Sequence, residues 1–303
     1  MIVYILLLIT LCLASWSCIL WLKASGREGF SRRMGWLMSL SLGVFVYLYG
    51  TWVYATVYLK YAFWIVYCLV ALYGAWKGRV KEVISVLPRW RLVLFVVWIL
   101  VLNTFNILYF TGTTGTPGVV NLQLPFKKGT YYVLQGGKGL PTNFFHSSLR
   151  GAIYAMDIVK LDTYGRRADK IFSKDLRDYH IYNDTVYSPC AGIVARTESA
   201  NPDNIPPNMN RGPKNTNQVL IETDSFFVFM GHLGQNKVFV KEGQYVNTGD
   251  PLGCVGNSGF SMEPHLHIQV HLKERGKAWY RGKPLYIEFD GKAYLLNDII
   301  KRR

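Results

Sequence analysis

The first 110 residues contain no histidine and only two of the 19 acidic residues of the chain, although they hold ten of its 34 lysines and arginines. This shortage of acidic residues, together with long apolar runs, excludes an ordinary water-soluble domain and is typical of a membrane region. Residues 111–303 hold the other 17 acidic and 24 basic side chains. The sequence therefore predicts a transmembrane helical region over 1–110 and a water-soluble part after it.

The cysteines exclude two common kinds of metal or redox site. The chain has five cysteines and no C-x-x-C pair, which argues against a thiolate zinc knuckle and a thioredoxin-type site. Only Cys190 and Cys254 lie in the second part, where either a disulfide or two buried free thiols would fit. No run combines basic and aromatic residues, so we expect no nucleic-acid partner.

The apolar runs of the first part predict membrane-spanning helices, because a span needs about 20 mostly apolar residues. We predict a helical bundle of about four spans, at residues 2–22, 35–57, 61–76 and 92–110. The third run is short, so a count of three spans stays open. Apart from Lys60 at a junction, the spans carry no charged residue near their centres. This absence favours an anchor in the lipid bilayer over a transporter.

The basic residues between the spans predict how the chain crosses the membrane. No lysine or arginine precedes Lys23 and no A-x-A pattern follows the first run, so we expect a retained anchor rather than a cleaved signal peptide. The first and third connections are rich in basic residues, whereas the second carries only Lys60. Positive connections stay in the cytoplasm, which predicts an outside N-terminus and, with four spans, an outside second part.

The second part has the pattern of an all-β domain. Residues 111–119 are rich in Thr, Gly and Pro and predict a linker. Short runs of β-branched and aromatic residues follow, separated by Gly, Asn, Asp and Pro, which predicts an antiparallel β-sheet domain over 120–295. Residues 199–216 are rich in Asn and Pro and predict a surface loop, and 296–303 are expected to form a basic tail.

All six histidines lie in the second part, and several have a suggestive setting. His265 and His267 form an H-L-H pair in a strand-like run, so both rings project from one face of the strand. Asp157 lies in the apolar run IYAMDIV, where an unpaired carboxylate would be costly. Taken one at a time, each residue also has an ordinary structural explanation, such as an exposed strand face or a bond to a backbone carbonyl.

The order of these residues and the sequence around them resemble a known family. His146 and Asp157 are followed by M-G-H-L at 230–233 and by P-H-L-H at 264–267. The stretch VKEGQYVNTGDPLGCVGNSGFSMEPHLHIQV, residues 240–270, resembles the long signature of that family. In these motifs the chain is similar to the lysostaphin-like, LytM-type zinc metallopeptidases.

The resemblance implies a fold, a cofactor and a reaction. The implied fold is a duplicated-hybrid-motif, glucose-permease-like antiparallel β domain. One Zn²⁺ per domain would be held by His146, Asp157 and His267, with His232 and His265 beside it as catalytic residues. Such an enzyme hydrolyses peptide cross-links of bacterial peptidoglycan. The implied location is the bacterial plasma (inner) membrane, as a multi-pass protein whose catalytic domain faces the periplasm or the exterior.

We also expect a substrate groove lined by Asn217, Asn257, Ser258 and Gly259, because glycines in the turn before the H-L-H strand would let the backbone approach a substrate closely. An ordinary hairpin turn explains the last three of these residues equally well. The chain departs from the family pattern at Gln269, where an acidic residue is common, and at residues 229–231. We expect neither departure to touch a metal ligand. Asp157 follows His146 by 11 positions, a longer spacing than the H-x-x-x-D of the best-known members.

Three other interpretations compete with an active wall endopeptidase. A catalytically silent member of the family would bind peptidoglycan or activate another hydrolase, but such members usually lack ligands, and all five positions are filled here. A biotinyl- or lipoyl-type carrier, which residues 240–253 resemble, would need a lysine at a hairpin tip. A zinc peptidase that acts on proteins rather than on the cell wall stays open.

Overall fold

The structure is a computed structural model that describes residues 2–80, 88–148, 150–210 and 215–302. It divides into two compact units, Met1–Tyr109 and Phe110–Arg303. Lys81, one of the basic residues in the third predicted connection, lies outside the described residues, as do 211–214 of the predicted surface loop.

The first unit is built from four long helices of 21 to 24 residues, which are α1 Ile2–Ser25, α2 Gly29–Tyr49, α3 Tyr58–Val80 and α4 Arg89–Thr111. Within the described residues, α1, α3 and α4 are long and apolar enough to cross a membrane. Helix α2 is long enough but not apolar enough to count as a candidate span, because Arg32 and Arg33 in its first turns lower its mean hydropathy. The described residues therefore contain three candidate spans, whereas we predicted about four.

Helix α2 nevertheless packs inside the bundle. The Trp36 ring stacks on Trp21 of α1 with 5.2 Å between centroids, and Ser39 Oγ donates to the carbonyl oxygen of Ser17 at 2.7 Å. On its other side, Asn103 Nδ2 of α4 donates to Ser41 Oγ at 2.8 Å. Interhelical hydrogen bonds of this kind satisfy polar groups that lie in apolar surroundings.

The second unit contains fourteen strands, one short α-helix and three single-turn 3₁₀ segments in its described residues. The helix is α5, Phe144–Ser147. The strands are β1 Val119–Leu122, β2 Gly129–Gln135, β3 Met156–Leu161, β4 Thr185–Tyr187, β5 Gly192–Glu198, β6 Gln218–Glu222, β7 Phe226–Gly231, β8 Leu233–Val238, β9 Tyr245–Val246, β10 Pro251–Val255, β11 Leu266–Leu272, β12 Pro284–Phe289, β13 Lys292–Ala293 and β14 Ile299–Arg302.

The strands form an antiparallel architecture, as the sequence predicts. The main sheet has the order β14-β2-β3-β11-β7-β6-β5-β9, with β12 and its partners branching from β11, and a smaller sheet has the order β4-β10-β8. The pair β1 and β12 is the one parallel pair among the described strands. Strand β11 lies at the middle of the main sheet and is buried over its first six residues. Its side chains therefore have fixed neighbours on both faces.

The C-terminus differs from our expectation of a basic tail over 296–303. Residues Ile299–Arg302 form β14, which pairs with β2 at the edge of the main sheet. Ile300 is 3% exposed and belongs to the hydrophobic core. Burial of this β-branched side chain explains why the basic residues around it do not leave the domain.

Truncation of Ile268 in β11 tests the packing of this core. Ile268 has no exposed surface, so Ile268→Ala is expected to lower the free energy of unfolding by about 2–5 kcal/mol. Ile193→Ala is the matched control, because that side chain is 50% exposed and its loss should change stability by less than about 0.5 kcal/mol. Pulse proteolysis in urea measures both, and equal losses would contradict the arrangement of β11.

Candidate active site

The register between β3 and β11 brings the first two site residues together. Asp157 of β3 lies directly opposite His267 of β11 in this antiparallel pair. Opposite residues point to the same face of a sheet with their Cβ atoms about 5 Å apart. Strand β7 lies on the other side of β11, where Gly231 is opposite His267 and is followed by His232. Asp157 and His267 thus lie on neighbouring strands, whereas His232 and His265 lie one residue beyond the ends of β7 and β11.

His146 reaches this face from α5, outside the sheet. Asn143 Nδ2 donates to the carbonyl oxygens of Ile153 and Ala155, at 3.1 and 2.9 Å, which ties α5 to the start of β3. The Asn143 side-chain oxygen is then left facing His146 Nδ1 at 2.8 Å. An amide oxygen only accepts, so Nδ1 carries the proton. The lone pair of His146 lies on Nε2, which is 3.4 Å from an Asp157 oxygen.

His146, Asp157 and His267 form a candidate metal centre. One donor atom from each lies within 4.8 Å of the other two, and this is the one such group found among the described residues. Two imidazole nitrogens and one carboxylate oxygen are a donor set that suits catalytic zinc. Both rings are nearly buried, at 7% and 9% exposure. The residues present therefore fit a divalent transition metal with one coordination position left for another ligand.

Gln269 and Phe229 both touch His267, so our expectation that these departures avoid the ligands is wrong. The Gln269 side-chain oxygen lies 3.1 Å from His267 Nε2 and accepts its proton. His267 then directs Nδ1 at Asp157, 3.0 Å away. The Phe229 ring meets the imidazole edge-on, with 5.9 Å between centroids. Gln269 lies two residues beyond His267 on the same face of β11. The two-residue period of strand side chains could therefore have predicted this contact.

His232 and His265 stand beside this group as a pair, with their ring centroids 4.7 Å apart. His232 lies 5.7 Å from the His267 ring, and His265 Nε2 lies 3.5 Å from an Asp157 oxygen. Their outer nitrogens donate to backbone carbonyls, His232 Nδ1 to Ser258 and His265 Nδ1 to Glu263, both at 2.8 Å. Each ring therefore turns Nε2 towards the cluster. All five predicted residues converge on one site.

The backbone of His232 is in the left-handed region, at φ 63°. A residue other than glycine in this region costs on the order of 1–3 kcal/mol, and such positions concentrate at functional sites. His232 is the single residue between β7 and β8, and its imidazole lies beside the cluster.

The electrostatic environment favours the forms that hold a metal and carry protons. Burial lowers the pKa of His146 to about 4, with Asp157 opposing the shift. Burial, reinforced by the neighbouring imidazoles, holds the pKa of His232 well below its ordinary range. Burial acts to raise the pKa of Asp157, but His146 and His265 outweigh it and keep that pKa well below its usual value. Burial acts to lower the pKa of His265, but Asp157 outweighs it and raises that pKa.

The residues that we expected to line a substrate groove are instead internal. Asn217, Asn257 and Ser258 have no exposed surface, and they hydrogen-bond to neighbouring backbone and side chains. Gly259 is also buried at φ +74°, and a Cβ there would lie 2.0 Å from Thr216 Oγ1. These residues fix the turn in which the Ser258 carbonyl oxygen accepts a hydrogen bond from His232 Nδ1. In a sequence, polar residues beside a glycine-rich turn are expected to face solvent. Here they are buried, and their internal hydrogen bonds offset the cost of burying polar groups.

Residues 178–279 match the model of the family described as Peptidase family M23. The chain carries a peptidase M23 domain. The matched residues include His232, His265 and His267, whereas His146 and Asp157 precede them. A search of curated proteins finds no match to the chain.

Several solved structures are similar to parts of this chain. A zinc-containing peptidase from Vibrio cholerae is 27% identical, covering 36% of this chain and 26% of that one, with a TM-score of 0.25. The catalytic domain of lysostaphin from Staphylococcus simulans is 20% identical over 32% and 70% of the two chains, with a TM-score of 0.24. An M23 protein from Pseudomonas aeruginosa is 19% identical over 57% and 54%, with a TM-score of 0.30. This chain thus spans about a quarter of the Vibrio cholerae protein.

Removal of the Asp157 carboxylate tests the metal centre. Asp157→Ala is expected to weaken zinc binding by more than about 100-fold, because even residues that only orient a ligand contribute about 10–100-fold. Asp169→Ala is the matched control, since the Asp169 side chain is 56% exposed and outside the cluster. Competition against a fluorescent chelator measures both affinities. Equal zinc affinity in the two variants would contradict the centre.

Proposed function

We propose that this chain is a membrane-anchored zinc metalloendopeptidase that hydrolyses peptide cross-links of bacterial peptidoglycan. The observation that carries the proposal is the convergence of a two-histidine, one-carboxylate group with two further imidazoles beside it. This is the arrangement that metal-assisted hydrolysis of a peptide bond needs: a metal site with an open position and groups that move protons. The peptidase M23 domain supports peptide bonds as the target.

His146 Nε2, the Asp157 carboxylate and His267 Nδ1 would hold the zinc ion. A zinc ion with three protein ligands supplies Lewis acidity towards a peptide carbonyl and towards water. The outer hydrogen bonds to Asn143 and Gln269 fix both imidazoles in the tautomer that such binding needs. The net charge of two neutral imidazoles and one carboxylate also suits a dication in a buried setting.

His232 and His265 would move the protons of the reaction. Each ring has its Nδ1–H tied to a backbone carbonyl, so Nε2 is the atom that exchanges a proton. One ring can accept the proton of the attacking water, and one can pass a proton to the leaving amine, because each imidazole turns its Nε2 towards the cluster.

The membrane region supports a location at the bacterial plasma membrane. Three helices are long and apolar enough to cross, and α2, with 21 residues, has about the length that a span needs. In the proposed topology α2 also crosses, so that the basic connections stay in the cytoplasm. The M23 domain then faces the periplasm or the exterior, where peptidoglycan lies. A catalytically silent role fits less well, since none of the five site residues is missing.

Hydrolysis of purified peptidoglycan by the full chain in detergent tests the function. Mass spectrometry should detect newly released peptide ends with the wild-type chain, and a chelator should abolish them. His232→Ala and His265→Ala should each lower the rate by about 10²–10⁴-fold, because each removes a group that transfers protons, while zinc stays bound.

The control is His180→Ala, because His180 lies near Asp162, 3.6 Å away, and outside the cluster. This variant should keep both zinc and the wild-type rate. Wild-type hydrolysis by both His232→Ala and His265→Ala, with zinc bound, would refute the proposed roles. Absence of any hydrolysis by the zinc-loaded wild-type chain would favour the silent alternative.

A further inference from the structure

Arg167 is a buried cation outside the cluster of site residues. It lies in the connection between β3 and β4, and it is 2% exposed. Its guanidinium forms two hydrogen bonds to the Glu263 carboxylate, from Nε at 3.0 Å and from Nη2 at 2.8 Å. Nη2 also donates to the carbonyl oxygen of Ile171 at 3.2 Å, and the group lies over the Tyr179 ring. This is a bidentate, largely buried ion pair between residues that lie 96 positions apart in the sequence.

Glu263 connects this ion pair to the candidate catalytic histidine. Its side chain pairs with Arg167, while its backbone carbonyl accepts the Nδ1–H of His265 at 2.8 Å. The same carbonyl accepts a hydrogen bond from Ser261 Oγ at 2.9 Å. A displacement of the Glu263 backbone would therefore turn the His265 ring, whose Nε2 lies 3.5 Å from Asp157.

The other end of the same turn is held separately. Asn204 Nδ2 donates to the carbonyl oxygens of Asn257 at 2.8 Å and Gly259 at 2.7 Å. The turn of residues 257–263 is thus fixed near its start by Asn204 and at its end by Arg167. Buried charges are costly to keep, so an ion pair at this position is expected to have a geometric role.

We propose that Arg167 is a positioning residue, which acts through Glu263 to fix the His265 imidazole in the orientation needed for proton transfer. The inference rests on the proposed function, since it assumes that His265 takes part in hydrolysis. It extends that function to the connection between β3 and β4, which contributes no residue to the metal centre.

The test compares Arg167→Met with Arg166→Met in the full chain. Arg166 is the neighbouring residue, and its partly exposed side chain pairs with Asp162 on the surface. Arg167→Met should lower the rate on purified peptidoglycan by about 100-fold, because small displacements of a catalytic group have effects of this size. Zinc content should not change, since His265 is not a ligand. Arg167→Lys should recover part of the rate, and Arg166→Met should match the wild type.

A second measurement does not depend on activity. In a chain labelled with ¹⁵N-histidine, the Nδ1–H of His265 should give a slowly exchanging signal in the wild type and in Arg166→Met. Arg167→Met should make this signal exchange at least about tenfold faster, while the signals of His146 and His267 stay unchanged. If Arg167→Met fails to fold, Glu263→Gln provides the same comparison with a neutral partner that retains one acceptor.

An unchanged His265 signal in both Arg167→Met and Glu263→Gln would overturn the proposal. Loss of zinc together with shifts of all the site histidines would also overturn it, because Arg167 would then support the fold in general. A faster His265 exchange in a chain whose wild type hydrolyses nothing would support the positioning role and refute the proposed function.

Discussion

The candidate site depends on one feature of the sheet, the register of β3 against β11. Because Asp157 is opposite His267, a carboxylate and an imidazole meet on one face of the sheet. A shift of one residue would turn His265 and His267 to the other face together. Burial on both sides of β11 fixes that register through Ile268 and its apolar neighbours. The hydrophobic core thus determines whether the polar residues can form a centre.

A second layer of contacts then fixes how the imidazoles point. Each of the four site histidines donates its outer N–H to an oxygen of the protein, supplied by Asn143, Ser258, Glu263 and Gln269. These bonds select one tautomer for each ring and aim the other nitrogen inwards. Two of the acceptors are backbone carbonyls of the turn before β11. That turn is itself held by buried asparagines and, at its end, by the Arg167 ion pair.

Periodicity and motifs predict part of the fold and of the site, whereas contacts between side chains far apart in the sequence leave no local pattern. The H-L-H alternation correctly gives His265 and His267 a common face, and the short β-branched runs predict an antiparallel domain. The contact of Arg167 with Glu263 has no local pattern, because it joins residues 96 positions apart. The burial of Asn257 is hidden for a related reason: a polar residue in a Gly-rich turn suggests exposure, whereas its hydrogen-bond partner Asn204 comes from another loop.

The central claim is that His146, Asp157 and His267 bind one ion. Crystals of the zinc-loaded full chain, measured on both sides of the zinc absorption edge, test it most directly. We expect one anomalous peak at about 2.0–2.2 Å from His146 Nε2, an Asp157 oxygen and His267 Nδ1. A peak at other residues, or an ordered site with no zinc bound to these three, would contradict it.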